Sequence, residues 1–158
     1  MNMIPGRVNR LVLEPTRTGV FRGACAEYCG TSHALMNFSV VVQEKEDFTR
    51  WLTQQAEPAA TPTNPHAMRE QAAFFANGCG ACHTIRGTEA VGVVVGPDLT
   101  HVGGRLSLWA GTLPNAPDAF LRWVAHTQNV KPDVAMPAFG MLPPDELQTL
   151  AAYLDGLQ

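Results

Sequence analysis

Long apolar runs are missing from this chain: none approaches the roughly 18 consecutive apolar residues that a bilayer-spanning helix needs. The opening "MNMIPGRVNRLVLEPTR" scatters its arginines and has no continuous apolar h-region. As written, the chain is therefore expected to carry neither an export signal nor an anchor. Basic excess is missing too. Eleven Lys and Arg stand against 14 Asp and Glu, and the formal net charge of -3 argues against nucleic acid as a partner. Cysteine is scarce, with only four residues, and all four fall in two short stretches, each followed by a histidine. What remains is ordinary: 158 residues, 46% hydrophobic, enough for one or two small globular domains.

The pattern divides near the middle. Residues 1–52 are rich in β-branched and apolar side chains, and "RVNRLVLEP" and "MNFSVVVQEKEDF" read as strands. Val8, Leu11 and Leu13 alternate imperfectly in the first; Phe38 to Val42 forms a short apolar run in the second. "KEDFTRWLTQQ" reads as a short helix closing the segment, and the proline-bearing "AEPAATPTNPH" as an extended linker. Helical signals follow. "PHAMREQAAFFANG" places Met68, Ala72 and Phe75 on one face and ends at Gly78, a suitable residue just past a helix end. "APDAFLRWVAHTQ" has Asp118 near its start, with Phe120, Leu121 and Val124 at helical spacing. "PPDELQTLAAYLDG" has Pro144 in the first turn, Asp145 and Glu146 near the positive helix end, and a stripe of Leu147, Leu150, Ala151 and Leu154. Three helices joined by long glycine- and proline-rich loops make a thin core. Such loops suggest that something other than side chains fills the middle.

"CGACH" offers that filler. Cys79, Cys82 and His83 form the Cys-Xaa-Xaa-Cys-His signature of covalent haem attachment, two thioethers to the vinyl groups and the next imidazole to the iron. Two residues between the thiols let a tight helical turn span both vinyl positions. A zinc site would want two further ligands nearby, and Cys25 and Cys29 lie across the linker. A redox dithiol would want a preceding strand, whereas a helix precedes here. A second axial ligand is expected to be a methionine downstream of the linker. Met136, before a proline in the irregular "KPDVAMPAFGMLPPDE", is favoured; Met141 is the competitor, and Met68 reads as core packing.

The earlier stretch, "GACAEYCGTSHALMNF", spaces Cys25, Cys29, His33 and Met36 by four, four and three residues. Two thiolates, one imidazole and a thioether suit copper or another soft metal. The same spacing also fits one helix face, although Gly23, Gly30 and the flanking strands argue against a regular helix. A Cys25–Cys29 disulfide is a further alternative.

Residues 66–158, with "CGACH", "GPDLTHVGGR", "MPAF" and a final helix, resemble a class I cytochrome c domain. The resemblance implies crossing first and last helices and a Pro97 carbonyl supporting His83. His101 and Arg105 are candidates to meet haem propionates, and Trp109 and Trp123 to pack in the core or at the haem edge. "IPGRVNRLVLEPTRTGVFRGACAEYCG" and the Cys-Xaa-Glu-Xaa-Cys-Xaa3-His-Xaa2-Met pattern resemble the carboxy-terminal part of cytochrome c oxidase subunit II. There the pattern wraps the dinuclear copper centre CuA. By position, Cys25 and Cys29 would bridge the coppers, His33 and Met36 would be terminal ligands, and Glu27 would offer its backbone carbonyl.

The order of parts resembles caa-type oxidases. The implied fold is a partial all-β cupredoxin-like sandwich over residues 1–53, a linker over 54–66 and an all-α class I cytochrome c domain over 67–158. One departure stands out: the family places a second copper-binding histidine on an earlier strand, and the residues before Cys25 hold none. The chain therefore reads as a fragment or split subunit, expected to need a partner chain for the other half of its sandwich.

The implied function is electron transfer at the outer, periplasmic face of a bacterial membrane. Haem c, and CuA where complete, would pass electrons from a reduced cytochrome or other donor to oxidase subunit I. Oxygen reduction is expected in that subunit, not in this chain. Two other readings remain at this stage: a free-standing soluble cytochrome c carrier with a copper-free remnant, and a metal-handling protein without haem.

Overall fold

Burial is confined to one part of the chain. In the computed structural model, which describes residues 1–158 except 3, 5, 94 and 117, the buried apolar side chains run from Ala59 to Leu157. In chain order the elements are β1 (Gly19–Ala24), β2 (Asn37–Val42), α1 (Lys45–Ala56), α2 (Pro65–Ala76), the two-residue pair β3 (Ser107–Leu108) and β4 (Leu113–Pro114), α3 (Ala119–Val130) and α4 (Pro144–Asp155). Single 3-10 turns occupy His33–Leu35, Cys79–Ala81 and Val102–Gly104.

The last helix is the hub, packing on both α2 and α3. Its predicted stripe, Leu147, Leu150, Ala151 and Leu154, is buried, and Pro144 opens it with Asp145 and Glu146 in the first turn. Helix α2 is started by the Asn64 side chain, which accepts from the Ala67 amide at 2.9 Å, and is followed by Gly78 at φ 72°. Its buried face differs from the expected one. Phe74 is inside, while Met68 and Ala72 are exposed. Apolar residues run almost around this helix, so its periodicity did not select a face; α4 does. Phe74 lies 5.4 Å from the Tyr153 ring, and Gln71 Nε2 donates to the Tyr153 hydroxyl at 3.3 Å. Helix α3 buries Phe120 and Val124 as expected, together with Trp123 and Thr127.

The long loop between α2 and α3 is ordered by its own hydrogen bonds. Ile85 N donates to Ala90 O at 2.7 Å, Leu99 N to Thr84 O at 2.8 Å, and Arg86 N to the buried Thr100 hydroxyl at 3.0 Å. Gly103 meets the end of α4 so closely that an added Cβ would lie 2.1 Å from Asp155 O, and its amide donates to Leu157 O. Only glycine fits there.

The first part is sparser than a sandwich. β1 and β2 form a two-stranded antiparallel hairpin with Gly19 opposite Val42 and Ala24 opposite Asn37. The strand expected in "RVNRLVLEP" is not formed, and Val8 and Val12 are each 84% exposed. Extended backbone becomes a strand only against a partner ladder, and among the described residues none pairs with it. Helix α1 forms as expected but buries none of its residues, so it does not close the segment by packing. The stretch expected as linker over 54–66 is helical at both ends, since α1 runs to Ala56 and α2 begins at Pro65; residues 57–64 between them lack helix and strand, yet they are pinned. Ala59 is buried and its amide donates to Arg86 O at 2.9 Å. The Arg86 guanidinium donates to Ala56 O at 2.9 Å and Gln55 O at 2.6 Å, and His101 Nε2 donates to Glu57 O at 3.0 Å.

Arg86→Ala is expected to lower stability by about 1–2 kcal/mol and to open the linker to thermolysin. A thermal melt and a digestion time course check this, and unchanged digestion would mean that the pinning lies elsewhere. The neighbouring Asp98 gives a pH signature. Partial burial works against its ionisation, but the Thr100 hydroxyl and amide and the charges of Arg86 and Arg105 outweigh it, so its carboxyl titrates below its ordinary 3.8. A lowered folded pKa stabilises above the unfolded value and is lost as pH falls below 3.8 through the folded value. Asp98→Asn should therefore flatten the acid limb of a stability-versus-pH curve below that point. A variant curve with the same acid slope as wild type would assign the acid sensitivity to other groups.

Candidate metal centres

The chain reverses at Gly78 and enters the turn Cys79–Ala81, where Cys82 N and His83 N both donate to Cys79 O, at 3.2 and 3.0 Å. This places the two cysteines one turn apart with His83 directly after. His83 Nδ1 lies 2.9 Å from Pro97 O. A carbonyl only accepts, so Nδ1 carries the proton and Nε2 keeps its lone pair. The loop returning to Pro97 passes close to the ring: an added Cβ on Gly96 would lie 2.6 Å from His83 Cε1, and Gly96 N donates to Cys82 O at 2.7 Å. Burial pushes the Cys79 thiol above its ordinary 9.0.

Met136 is held from the other side of the core. Helix α3 kinks at His126 (φ -140°, ψ 47°), and the Val124 carbonyl accepts from Phe139 N at 2.8 Å. Gln128 brackets the same loop, donating from Nε2 to Val134 O at 2.7 Å and accepting from Asp133 N at 3.1 Å. Within it Met136 is half-buried, and its sulfur accepts from Trp123 Nε1 at 3.1 Å. Met141 is 77% exposed and Met68 52%. Of these three, Met136 alone packs against the core. The indole contact was not legible in the sequence, because nothing in a run of apolar helix residues marks which tryptophan faces a sulfur thirteen positions on. Trp109 stacks on Trp123 with centroids 4.5 Å apart at 15°. The residues suggested for propionates are engaged otherwise: His101 with the linker, and Arg105 Nη2 with Asp98 O at 2.7 Å.

The second cluster caps the hairpin. Cys25 follows β1 and Met36 precedes β2, and Cys25 N donates to Met36 O at 2.9 Å, one step beyond the last ladder pair. Cys25 Sγ lies 3.5 Å from Cys29 Sγ and 3.3 Å from Glu27 O. Cys29 Sγ lies 3.7 Å from His33 Nδ1 and 3.2 Å from Met36 Sδ. All five residues named from the sequence thus converge. The two alternatives are not what forms: both cysteines are free thiols, and the only helical piece is the single turn at His33–Leu35. Among the described residues this is the one group of three or more His, Cys, Asp or Glu side chains that could hold a metal ion. The Cys29 thiol is pushed above 9.0 by its hydrogen bond with Cys25, then by desolvation and by charge repulsion from Cys25. Two thiols, an imidazole, a thioether and a carbonyl on an exposed rim fit a soft metal such as copper. At the other centre, paired thiols and an imidazole with Nε2 free fit a covalently attached haem.

Comparison with known proteins agrees. Residues 67–158 match the family model "Cytochrome c", and residues 1–44 match "Cytochrome C oxidase subunit II, periplasmic domain". A cytochrome c oxidase subunit 2 from Alkalihalophilus pseudofirmus is 34% identical over 158 residues, all of this chain and 45% of the relative. One from Bacillus sp. strain PS3 is 29% identical over 89% of this chain and 40% of the relative. An alternative cytochrome c oxidase subunit 2 from Bradyrhizobium diazoefficiens is 44% identical over 35% of this chain and 20% of the relative. The chain spans less than half the length of these relatives.

Gly96→Ala tests the return loop. The added methyl must displace either the loop or the His83 ring, at about 1–3 kcal/mol. A lowered melting point with a shifted His83 ring signal by NMR is expected; wild-type values for both would show that the approach is not tight.

Proposed function

The chain belongs to the cytochrome c family through residues 67–158, and we propose that it is the electron-entry part of a cytochrome c oxidase subunit II of the caa type. The observation that carries this reading is the convergence of Cys25, Cys29, His33, Met36 and the Glu27 carbonyl in the same chain as a Cys79–Cys82–His83 turn. We assign residues 1–53 to the copper-binding part, 54–66 to the linker and 67–158 to the haem domain.

Cys79 and Cys82 would hold one haem c through thioethers, with His83 and Met136 on its iron; Cys25, Cys29, His33, Met36 and the Glu27 carbonyl would hold the dinuclear copper. When bound, both groups supply one-electron couples. The chain's part is to fix their ligands. The Pro97 carbonyl sets the His83 tautomer, so the basic nitrogen is available without a rotamer search. The α3 kink and Gln128 fix the methionine loop, and the Trp123 indole orients the Met136 sulfur. Methionine ligation raises a haem potential relative to harder donors. The hairpin brings four of the copper donors together within one loop, from Cys25 after β1 to Met36 before β2. A full ligand set of that kind would take a further histidine beyond these donors, and Val8, Leu11 and Val12 are left exposed as apolar surface before the hairpin. The proposed partners are oxidase subunit I and a reduced cytochrome or other donor. The proposed place is the outer face of the membrane. No helix of the described residues is long and apolar enough to cross a membrane.

The test is haem and copper stoichiometry on protein matured with haem-attachment machinery, by pyridine haemochrome and copper analysis. One haem with copper lost in Cys25→Ser is expected. One haem and no copper in wild type would favour a single-cofactor carrier instead. Met136→Ala should abolish the weak near-infrared methionine–iron band and Met141→Ala should keep it; the reverse would reassign the axial ligand.

A further inference from the structure

The two clusters are not merely joined by a linker; a hydrogen-bonded seam presses the hairpin cap against the methionine side of the helical part. Asn37 N donates to Ala110 O at 2.8 Å, and Thr112 Oγ1 donates to Leu35 O at 3.2 Å. The Thr31 and Ser32 hydroxyls donate to the Asp133 carboxylate and the Pro132 carbonyl. At Gly111 an added Cβ would lie 2.9 Å from Asn37 Cβ, so side chains larger than hydrogen are excluded from the contact. Among the described residues three non-glycine positions have left-handed φ, Trp109 (52°), Ala110 (59°) and Asp133 (62°), and all three are on this seam. Side chains rarely adopt that conformation, and surrounding contacts must hold it. Lys131 supplies one, donating from Nζ to Trp109 O at 3.2 Å.

The strained turn puts Trp109 in one particular place. Its ring stacks on Trp123 at 4.5 Å, and Trp123 Nε1 donates to Met136 Sδ at 3.1 Å. In the other direction Trp109 is bonded to Ala110, whose carbonyl holds the amide of Asn37, the residue after Met36. From the Met136 sulfur to Met36, every step is a covalent bond, a hydrogen bond or a stacked ring. The turn gives up relaxed backbone at two consecutive residues and gains this continuity.

We propose that the Trp109–Trp123 pair is the electronic bridge between the haem domain and the copper loop, held in place by the seam. The proposal rests on the electron-entry reading above. With a haem held by Cys79, Cys82, His83 and Met136 and copper held by the Cys25–Met36 loop, the pair would carry one electron equivalent from the iron couple to the copper couple, with no bond made or broken and no proton moved.

Once Cys79 and Cys82 are consumed as thioethers, Cys25 and Cys29 are the remaining thiols. In Cys25→Ser protein a ruthenium bipyridyl maleimide can therefore be placed on exposed Cys29, and flash-quench then times haem oxidation by the label without copper. Trp109→Leu is expected to slow that step several-fold, with the methionine–iron band unchanged; Trp51→Leu, on exposed α1, should leave the rate at wild type. An unchanged rate in Trp109→Leu overturns the proposal. So does a slowed rate accompanied by loss of the methionine–iron band, since the indole would then be only structural. If Trp109→Leu does not fold, Trp123→Phe keeps a ring while removing the donor to Met136. It should slow the rate with the methionine–iron band retained; an unchanged rate, or a slowed rate with the band lost, again overturns the bridge. Failure of covalent haem attachment would sink the cytochrome reading and this proposal together. Failure of copper binding alone would leave this test intact.

Discussion

The hydrogen bond from His83 Nδ1 to the Pro97 carbonyl organises the helical part of this protein. To make it, the chain after Cys82 must run out and return, and the return is what the loop's other bonds enforce. Thr84, Ile85, Leu99 and Thr100 interlace the outward and inward halves. Gly96 is the residue that lets the inward half come close enough, because a Cβ there would strike the imidazole. The same loop then carries Arg86 and His101 to the linker, so the geometry of one imidazole and the anchoring of residues 57–64 depend on a common piece of backbone. A histidine whose tautomer is set before any metal arrives needs no further ordering to bind one.

The opposite side depends on a defect. A regular α3 would use the Val124 carbonyl within the helix; the break at His126 releases it to the amide of Phe139. The methionine loop is thus an extension of the helix's own hydrogen bonding, and Trp123, one residue before Val124, is placed to hold the sulfur. The strained turn at Trp109 and Ala110 is similar in kind. In both places backbone regularity gives way where a side chain must face a particular atom, and regular helix is kept where only packing is asked of it.

The hairpin shows how little structure a soft-metal cluster needs. Its ligands come from one loop closed by the Cys25–Met36 bond at the end of a two-stranded ladder. A sandwich is a different matter. It needs a second sheet to cover the first, and among the described residues before α1 there is one ladder, with apolar side chains left in water on either side of it. Donor convergence and domain stability are separable properties, and this part of the chain has the former without the core that would give the latter.

The sequence alone determined whatever is local. Cys79, Cys82 and His83 lie within one turn, Cys25 to Met36 within one loop, and the α4 stripe within one helix, so spacing sufficed to read them. The helix stop at Gly78 and the start at Pro144 were legible for the same reason, whereas the Asn64 cap falls in what read as linker. Tertiary structure decided everything that depends on which surfaces meet. It chose Phe74 over Met68 on a helix that is apolar nearly all round, and it denied "RVNRLVLEP" a ladder because a strand exists only by pairing. It turned His101 to the linker and set Trp123 on the Met136 sulfur. It also brought residues a hundred positions apart into the seam between the two clusters. Spacing along a chain fixes distances only over a turn or two. Beyond that, direction is set by packing, and packing is a property of the whole fold.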